Sequence, residues 1–303
     1  MTQVWKVPLR SMRGDVDVDR ARQFCFDEGW VGIGWGIPSV PDRTTKPEVY
    51  EHAAARRKAK TAALTAFRAM SQRVKKGDFV WCRAKGDIYW LGKVDGAWTY
   101  RSVGAFDEFD LYQVRKCEWC RVGPADEVPG PVKNAYAGRG SAIAEIQREH
   151  DAALIASATI WQGIKGGAIT EALGRPGSFS LSAMGHDDLE DLVALFLQLE
   201  ERWLVVPSTA KRSTPDTEFV LRNAEGKRAY LQVKSGVTQV PRVIEVPQGV
   251  DVFFVFDPTG DAHHRSPKVV RIDNARVKAF AISHPSLLPK HLFRSLGPPV
   301  VTE

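Results

Sequence analysis

The most restrictive feature of this 303-residue sequence lies in its last third, where the strand-like segments STPDTEFVLRN and RAYLQVKSG flank the short connection AEGK. A tight turn at Glu225-Gly226 folds them into a hairpin. In that hairpin Asp216 falls near the Lys234 end of the ladder, and Gln232 and Lys234, two residues apart, point to one face. An amide and a lysine flanking Val233 in an otherwise apolar strand are costly unless they serve a purpose. Upstream, DDLEDLVALFLQLEERWLVVPS reads as a helix with Leu189, Leu192, Val193, Phe196 and Leu197 on one side and Glu190 in its first turn, running into a short apolar strand. Downstream, VDVFFVFDPTG fits the next core strand of the same sheet.

These residue types suit one chemistry. Phosphodiester hydrolysis needs a divalent cation, oxygen ligands to hold it, and a group that positions or activates water. Asp216 supplies the central metal ligand, and Gln232 offers its side-chain oxygen together with the backbone carbonyl of Val233. Lys234 orients the attacking water or neutralises developing charge, and Glu190 reaches the metal directly or through water. Glu218, on the same side of its strand as Asp216, is a possible extra ligand; Glu200 and Glu201 read as helix-end charges, and His263 and His264 as loop polarity.

A helix with a Glu, a strand, an Asp at the head of the next strand and then Q-x-K resembles the PD-(D/E)xK nuclease superfamily, and within it the Mrr-like branch in which Gln replaces the second acid. The resemblance implies that Asp216, Gln232 and Lys234 carry catalysis with Glu190 as the helix acid, using Mg²⁺ or Mn²⁺. The stretch Thr214-Pro215-Asp216 departs from the pattern by lacking the glycines that often surround this Asp.

The N-terminal region is built differently. Trp5, Trp30, Trp35, Trp81, Trp90, Trp98 and Trp119 all fall in the first 120 residues, among short strand signals VWKVPLR, GWVGIGWGIP, DFVWCRA, IYWLGKV, WTYRSV and LYQVRKCEW. A helix from Glu48 to about Val74 separates the second from the third, its surface crowded by Arg56, Arg57, Lys58, Lys60 and Arg68. The order GWVGIGWG, helix, KKGDFVWCR, YWLGKVDGAWTY and VRKCEW is similar to the PUA-like fold, in particular to EVE-type domains found fused to nucleases in modification-dependent restriction systems. That resemblance implies a pocket for an extruded base, with Trp35, Trp81 and Trp90 as candidate walls and Arg56, Lys60 and Arg83 as candidate phosphate contacts.

The expected fold is therefore a two-domain chain of α/β and α+β class: residues 1–135 as a PUA-like β-barrel with helices, 136–180 as a helical linker with a helix from about Ile143 to Gln162, and 181–303 as a PD-(D/E)xK mixed sheet flanked by helices. The segment Cys117-Glu118-Trp119-Cys120 allows two readings: with Cys25 and Cys82 a four-thiolate zinc site, or a strand whose small residues are core. A net charge of +6 favours a polyanionic partner, and the lack of a membrane-length apolar run or a signal-like start points to the cytoplasm. The function that follows is a type IV, modification-dependent endonuclease acting on double-stranded DNA carrying modified cytosine, as a homodimer or a transient dimer on DNA. The alternatives are an inactive modified-DNA-binding protein and a nuclease for unmodified DNA or RNA.

Overall fold

The computed structural model describes residues 2–11, 13–137, 141–147, 149–166, 180–209, 217–234, 244–258, 266–289 and 292. It is an α+β protein with two sheets and, among the described residues, eight α-helices. The chain divides into two compact units, 1–173 and 174–303. Among the described residues no helix is long and apolar enough to cross a membrane.

The first unit contains β1 (Val4–Lys6), α1 (Val18–Glu28), β2 (Trp30–Ile33), α2 (Pro47–Arg56), α3 (Thr61–Arg68), β3 (Phe79–Arg83), β4 (Tyr89–Tyr100), α4 (Ala105–Glu108), β5 (Gln113–Gly123), α5 (Gly130–Ala137), β6 (Ala144–Glu145) and α6 (His150–Lys165). Its six strands run in the order β2-β5-β4-β3-β1-β6, curled into a half-barrel and antiparallel except where β1 meets β3. Alternation along the strands sends Trp5, Val80, Cys82 and Val94 to one core, and Val4, Phe79, Trp81 and Leu91 to another. The second core also takes in Val132 of α5 and Ala153, Ala158, Ile160 and Trp161 of α6. The segment read as a linker from sequence thus packs onto this sheet, because the sheet's second apolar face needs a cover.

Three local features differ from expectation. The long helix after residue 48 is two helices, with Lys58 in the left-handed region at φ 49° between them. Arg56, Arg57, Lys58 and Lys60 would put like charges three and four apart on one helix surface, which opposes continuation. The Asp95-Gly96 pair, a hairpin signal in sequence, is instead a bulge inside the single long strand β4, where the register shifts between Val94 and Trp98. Gly96 is required there, since a Cβ would stand 2.8 Å from the Cβ of Lys116 on β5. Helix α1 is an addition to the expected elements; Asp17 caps its start by accepting from Asp19 and Arg20 N–H, and Gly29 ends it at φ 67°.

The second unit contains α7 (His186–Leu199), β7 (Leu204–Val205), β8 (Phe219–Arg222), β9 (Arg228–Val233), β10 (Val252–Phe256), β11 (Val269–Arg271) and α8 (Asn274–Ser283). Strand order is β11-β10-β9-β8-β7, with β7, β8 and β9 antiparallel and β9, β10 and β11 parallel. The β8–β9 hairpin closes through Asn223, whose Oδ1 accepts from Glu225 and Lys227 N–H, and Gly226 takes φ 78°. Leu189, Leu192, Val193, Phe196 and Leu197 of α7 pack with Val277, Phe280 and Ala281 of α8 on Leu221, Ala229, Leu231, Val233, Phe254 and Phe256.

The first sheet is pinned at one end by buried Asp78. Its carboxylate accepts from Gln3 N–H (2.9 Å), from the Trp5 indole (2.9 Å) and from Lys75 N–H (2.9 Å), tying β1 to the entry of β3. Replacing Asp78 by Ala orphans three donors, two of them backbone groups. The expected cost is about 3–5 kcal/mol, seen as a fall of roughly 10 °C in the melting transition followed by tryptophan fluorescence, with Asp78→Asn in between. A loss under about 0.5 kcal/mol would show that the clamp does not hold the sheet.

Candidate metal centre

Helix α7 opens with His186, and Glu190 lies four residues on, so the two side chains share one face. His186 Nε2 stands 2.7 Å from Glu190 Oε1 and 4.0 Å from Oε1 of Glu218, which immediately precedes β8. One donor atom from each of the three residues lies within 4.8 Å of the others, and the side chains are 21%, 18% and 21% exposed for His186, Glu190 and Glu218. The site is therefore sheltered but open to water.

Glu218 is joined to β9 by a backbone bond from its N–H to the Leu231 carbonyl (2.8 Å). Phe219 pairs with Leu231, so Glu218 and Phe219 both stand against that one residue at the end of the β8–β9 ladder. Leu231 turns its carbonyl toward β8, and Val233, two residues on, repeats that orientation. Gln232 is buried, and Lys234, where β9 ends, donates its N–H to the Phe256 carbonyl at 2.9 Å. Burial and the neighbouring Glu190 carboxylate push the Glu218 carboxyl above its ordinary range, while His186, Lys234 and a hydrogen bond from Val233 N–H pull it down. The physical tension is two carboxylates sharing a half-buried space, the circumstance that a cation relieves.

Of the residues singled out in sequence, Glu190, Gln232 and Val233 lie on the elements expected for them, and Lys234 directly follows β9. Glu218, a possible extra ligand by sequence, is the acid that the structure brings to Glu190. Asp216, His263 and His264 lie outside the described residues. His186 is a residue that sequence reasoning misses; its only signal there is the spacing His-x₃-Glu at the start of an amphipathic helix. Glu201 pairs with Arg276 at 2.6 Å, consistent with a helix-end charge.

The tryptophan set separates. Trp81 is fully buried with its indole donating to Ser157 Oγ (3.0 Å), which leaves no face for a ligand and makes it core rather than pocket. Trp90 stacks on Phe26 with ring centroids 4.1 Å apart. Trp35 lines a cavity of about 390 Å³ together with Tyr50, Arg57, Lys58 and Lys60. Its backbone is held at φ 67° while its carbonyl accepts from the Tyr50 hydroxyl (2.7 Å). Arg56 is exposed at the end of α2, and Arg83 is held by Asp87 at 2.5 Å. Cys117 and Cys120, three apart on β5, lie in different cores, so they do not chelate one ion, and both read as small core residues.

Residues 5–134 match the family model described as Domain of unknown function (DUF8426). No curated protein and no solved structure matches the chain.

The raised Glu218 carboxyl has a stability consequence. A folded-state value above the unfolded one means that the native state binds more protons in that window, so stability falls as pH rises through it. In metal-free protein, Glu218→Gln is expected to raise the melting temperature at pH 7 by roughly 1–4 °C, with the gain vanishing below about pH 4. A pH-independent gain, or none, measured by calorimetry in chelator, would contradict burial and carboxylate repulsion as the cause of the shift.

Proposed function

We propose that the chain is a metal-dependent DNA endonuclease, with cutting chemistry in the 174–303 unit and capture of a modified base, modified cytosine first among the candidates, in the first unit. The observation that carries this reading is the meeting of Glu190 from α7 with Glu218 at the head of β8, beside Val233 and Lys234 at the end of β9. This is the order of helix acid, strand, strand-head acid and Q-x-K on which the PD-(D/E)xK reading rests, with Glu218 in the place expected from sequence for Asp216.

The donor set suits a divalent ion: two carboxylates, with the Val233 carbonyl near them, are oxygen ligands of the kind Mg²⁺ and Mn²⁺ take, and the Gln232 amide, on the face of β9 away from α7, would have to reach the ion around the strand end. Such an ion, when bound, neutralises charge on the scissile phosphate. Glu190 and Glu218 would hold it from two elements. Lys234, at the end of its strand, donates to the attacking water or to a phosphate oxygen.

Support for base capture comes from the Trp35 cavity, whose volume of about 390 Å³ falls in the range of small-ligand sites. An aromatic face beside Arg57, Lys58 and Lys60 offers stacking for a base and cations for its phosphates. Cutting both strands of a duplex calls for two such centres, so the protein acts as a homodimer or pairs transiently on DNA.

The test uses matched linear DNAs, unmodified or carrying 5-methylcytosine, 5-hydroxymethylcytosine or N6-methyladenine, in Mg²⁺ and in Mn²⁺. Cleavage confined to a modified substrate is expected, with Glu218→Gln and Lys234→Ala each lowering it by about 100-fold or more and Trp35→Ala abolishing discrimination between substrates. Comparison with Asp216→Asn identifies which acid is central. Selective binding without cleavage would favour the inactive binder, for which Gln232 in place of an acid is the motivating residue, and equal cutting of every substrate would sink base capture.

A further inference from the structure

We infer that His186 is the nitrogen ligand of this metal centre, and that the site in consequence prefers a first-row transition ion such as Mn²⁺, Co²⁺ or Zn²⁺ over Mg²⁺. This rests on the metal-dependent reading above and adds a ligand and a selectivity to it. Its basis is distance. Two donors that each sit about 2.1 Å from one ion can be no more than about 4.2 Å apart. Both separations from His186 Nε2, 2.7 Å to Glu190 and 4.0 Å to Glu218, fall within that span. The three donors come from the first two turns of α7 and the head of β8, so small side-chain rotations suffice to close them on one centre.

A simple ion pair accounts for less. It explains the 2.7 Å contact with Glu190 but leaves Glu218 as a second carboxylate in the same sheltered space. It also places an imidazolium at the first position of a helix, where the partial charge of the backbone is already positive. A neutral imidazole sharing an ion with two carboxylates removes both difficulties. The selectivity then follows from ligand chemistry: first-row transition ions accept an imidazole nitrogen, Mn²⁺ least strongly among them, whereas Mg²⁺ favours an all-oxygen shell and keeps its waters.

The experiment is direct binding of Mn²⁺ to the full chain, followed by the loss of the free-ion electron paramagnetic resonance signal, with Mg²⁺ as competitor and no DNA present. Wild type is expected to take up Mn²⁺ and to retain most of it against roughly hundredfold Mg²⁺. Loss of an outer-shell partner already costs about 10–100-fold in affinity, so His186→Gln should weaken Mn²⁺ by at least about tenfold while leaving Mg²⁺ binding nearly unchanged. His186→Asn serves as a second variant, and thermal melts verify that each is folded.

Absence of Mn²⁺ binding in wild type, wild-type Mn²⁺ affinity in both variants, or an equal loss for Mg²⁺ and Mn²⁺ would overturn the inference; the last would make His186 a positioning residue for Glu190. The two readings fail separately. Protein that binds Mn²⁺ through His186 but cuts no DNA refutes the nuclease and keeps the metal ligand, and Mg²⁺-driven cutting with both variants fully Mn²⁺-competent does the reverse.

Discussion

Strand β9 is held on both edges, antiparallel to β8 and parallel to β10, and nearly everything in the second unit is arranged around that constraint. A strand between two neighbours has no freedom of register: a slip of one residue would carry Ala229, Leu231 and Val233 off the core formed with α7 and α8 and put Tyr230 and Gln232 in their place. The same alternation that secures the core therefore decides where Gln232 and Lys234 point. Glu218 inherits its place from this register through its bond to the Leu231 carbonyl, and α7 delivers Glu190 and His186 from the end of a helix already fixed by its apolar face. The chemistry sits at the end of β9, where polar atoms can meet without being sealed in.

The first unit solves a different problem. Both faces of its sheet are buried, and buried polar groups there must find partners inside the protein. Arg115 shows the consequence: its guanidinium, held down to about 10 by burial, donates to the carbonyls of Met70 (2.7 Å), Ser71 (2.9 Å) and Gly96 (3.1 Å). One side chain thereby closes the wide turn Ala69–Arg73 that follows α3 and anchors the bulge of β4. With these ends tied, the break at Lys58 can stay open at the surface, and the cavity beside Trp35 is framed by rigid neighbours: Tyr50 stacked on Phe67, and Gly36 lying so close to Tyr112 that a Cβ would come within 2.4 Å of its ring.

How much of this is legible in the sequence depends on whether the information is local. The hairpin around Glu225-Gly226, the amphipathic helix with Glu190 and the apolar strand β10 all carry their signal within a few residues, and they stand where they are expected. The Asp95-Gly96 bulge mimics a turn in sequence because its glycine answers to Lys116 on a neighbouring strand. The two helices after residue 48 mimic one because periodicity persists across Arg57–Lys60, although the charges there oppose a continuous surface. Trp81 and Trp35 are indistinguishable by composition; only the packing of α6 through Ser157 makes one core and leaves the other on a cavity.

The metal centre shows the same limit at its sharpest. Sequence puts weight on Asp216, because an Asp before a strand fits the order of a nuclease motif, and it ranks Glu218 as an accessory. Proximity to Glu190 depends on how α7 crosses the sheet, a long-range property with no sequence period, and it selects Glu218 among the described residues. His186 enters by the same route. Two carboxylates and an imidazole gathered from a helix start and a strand head form a group in which His186 and Lys234 offset only part of the burial and repulsion acting on Glu218, and a chain would be expected to keep such an arrangement only where the strain is useful.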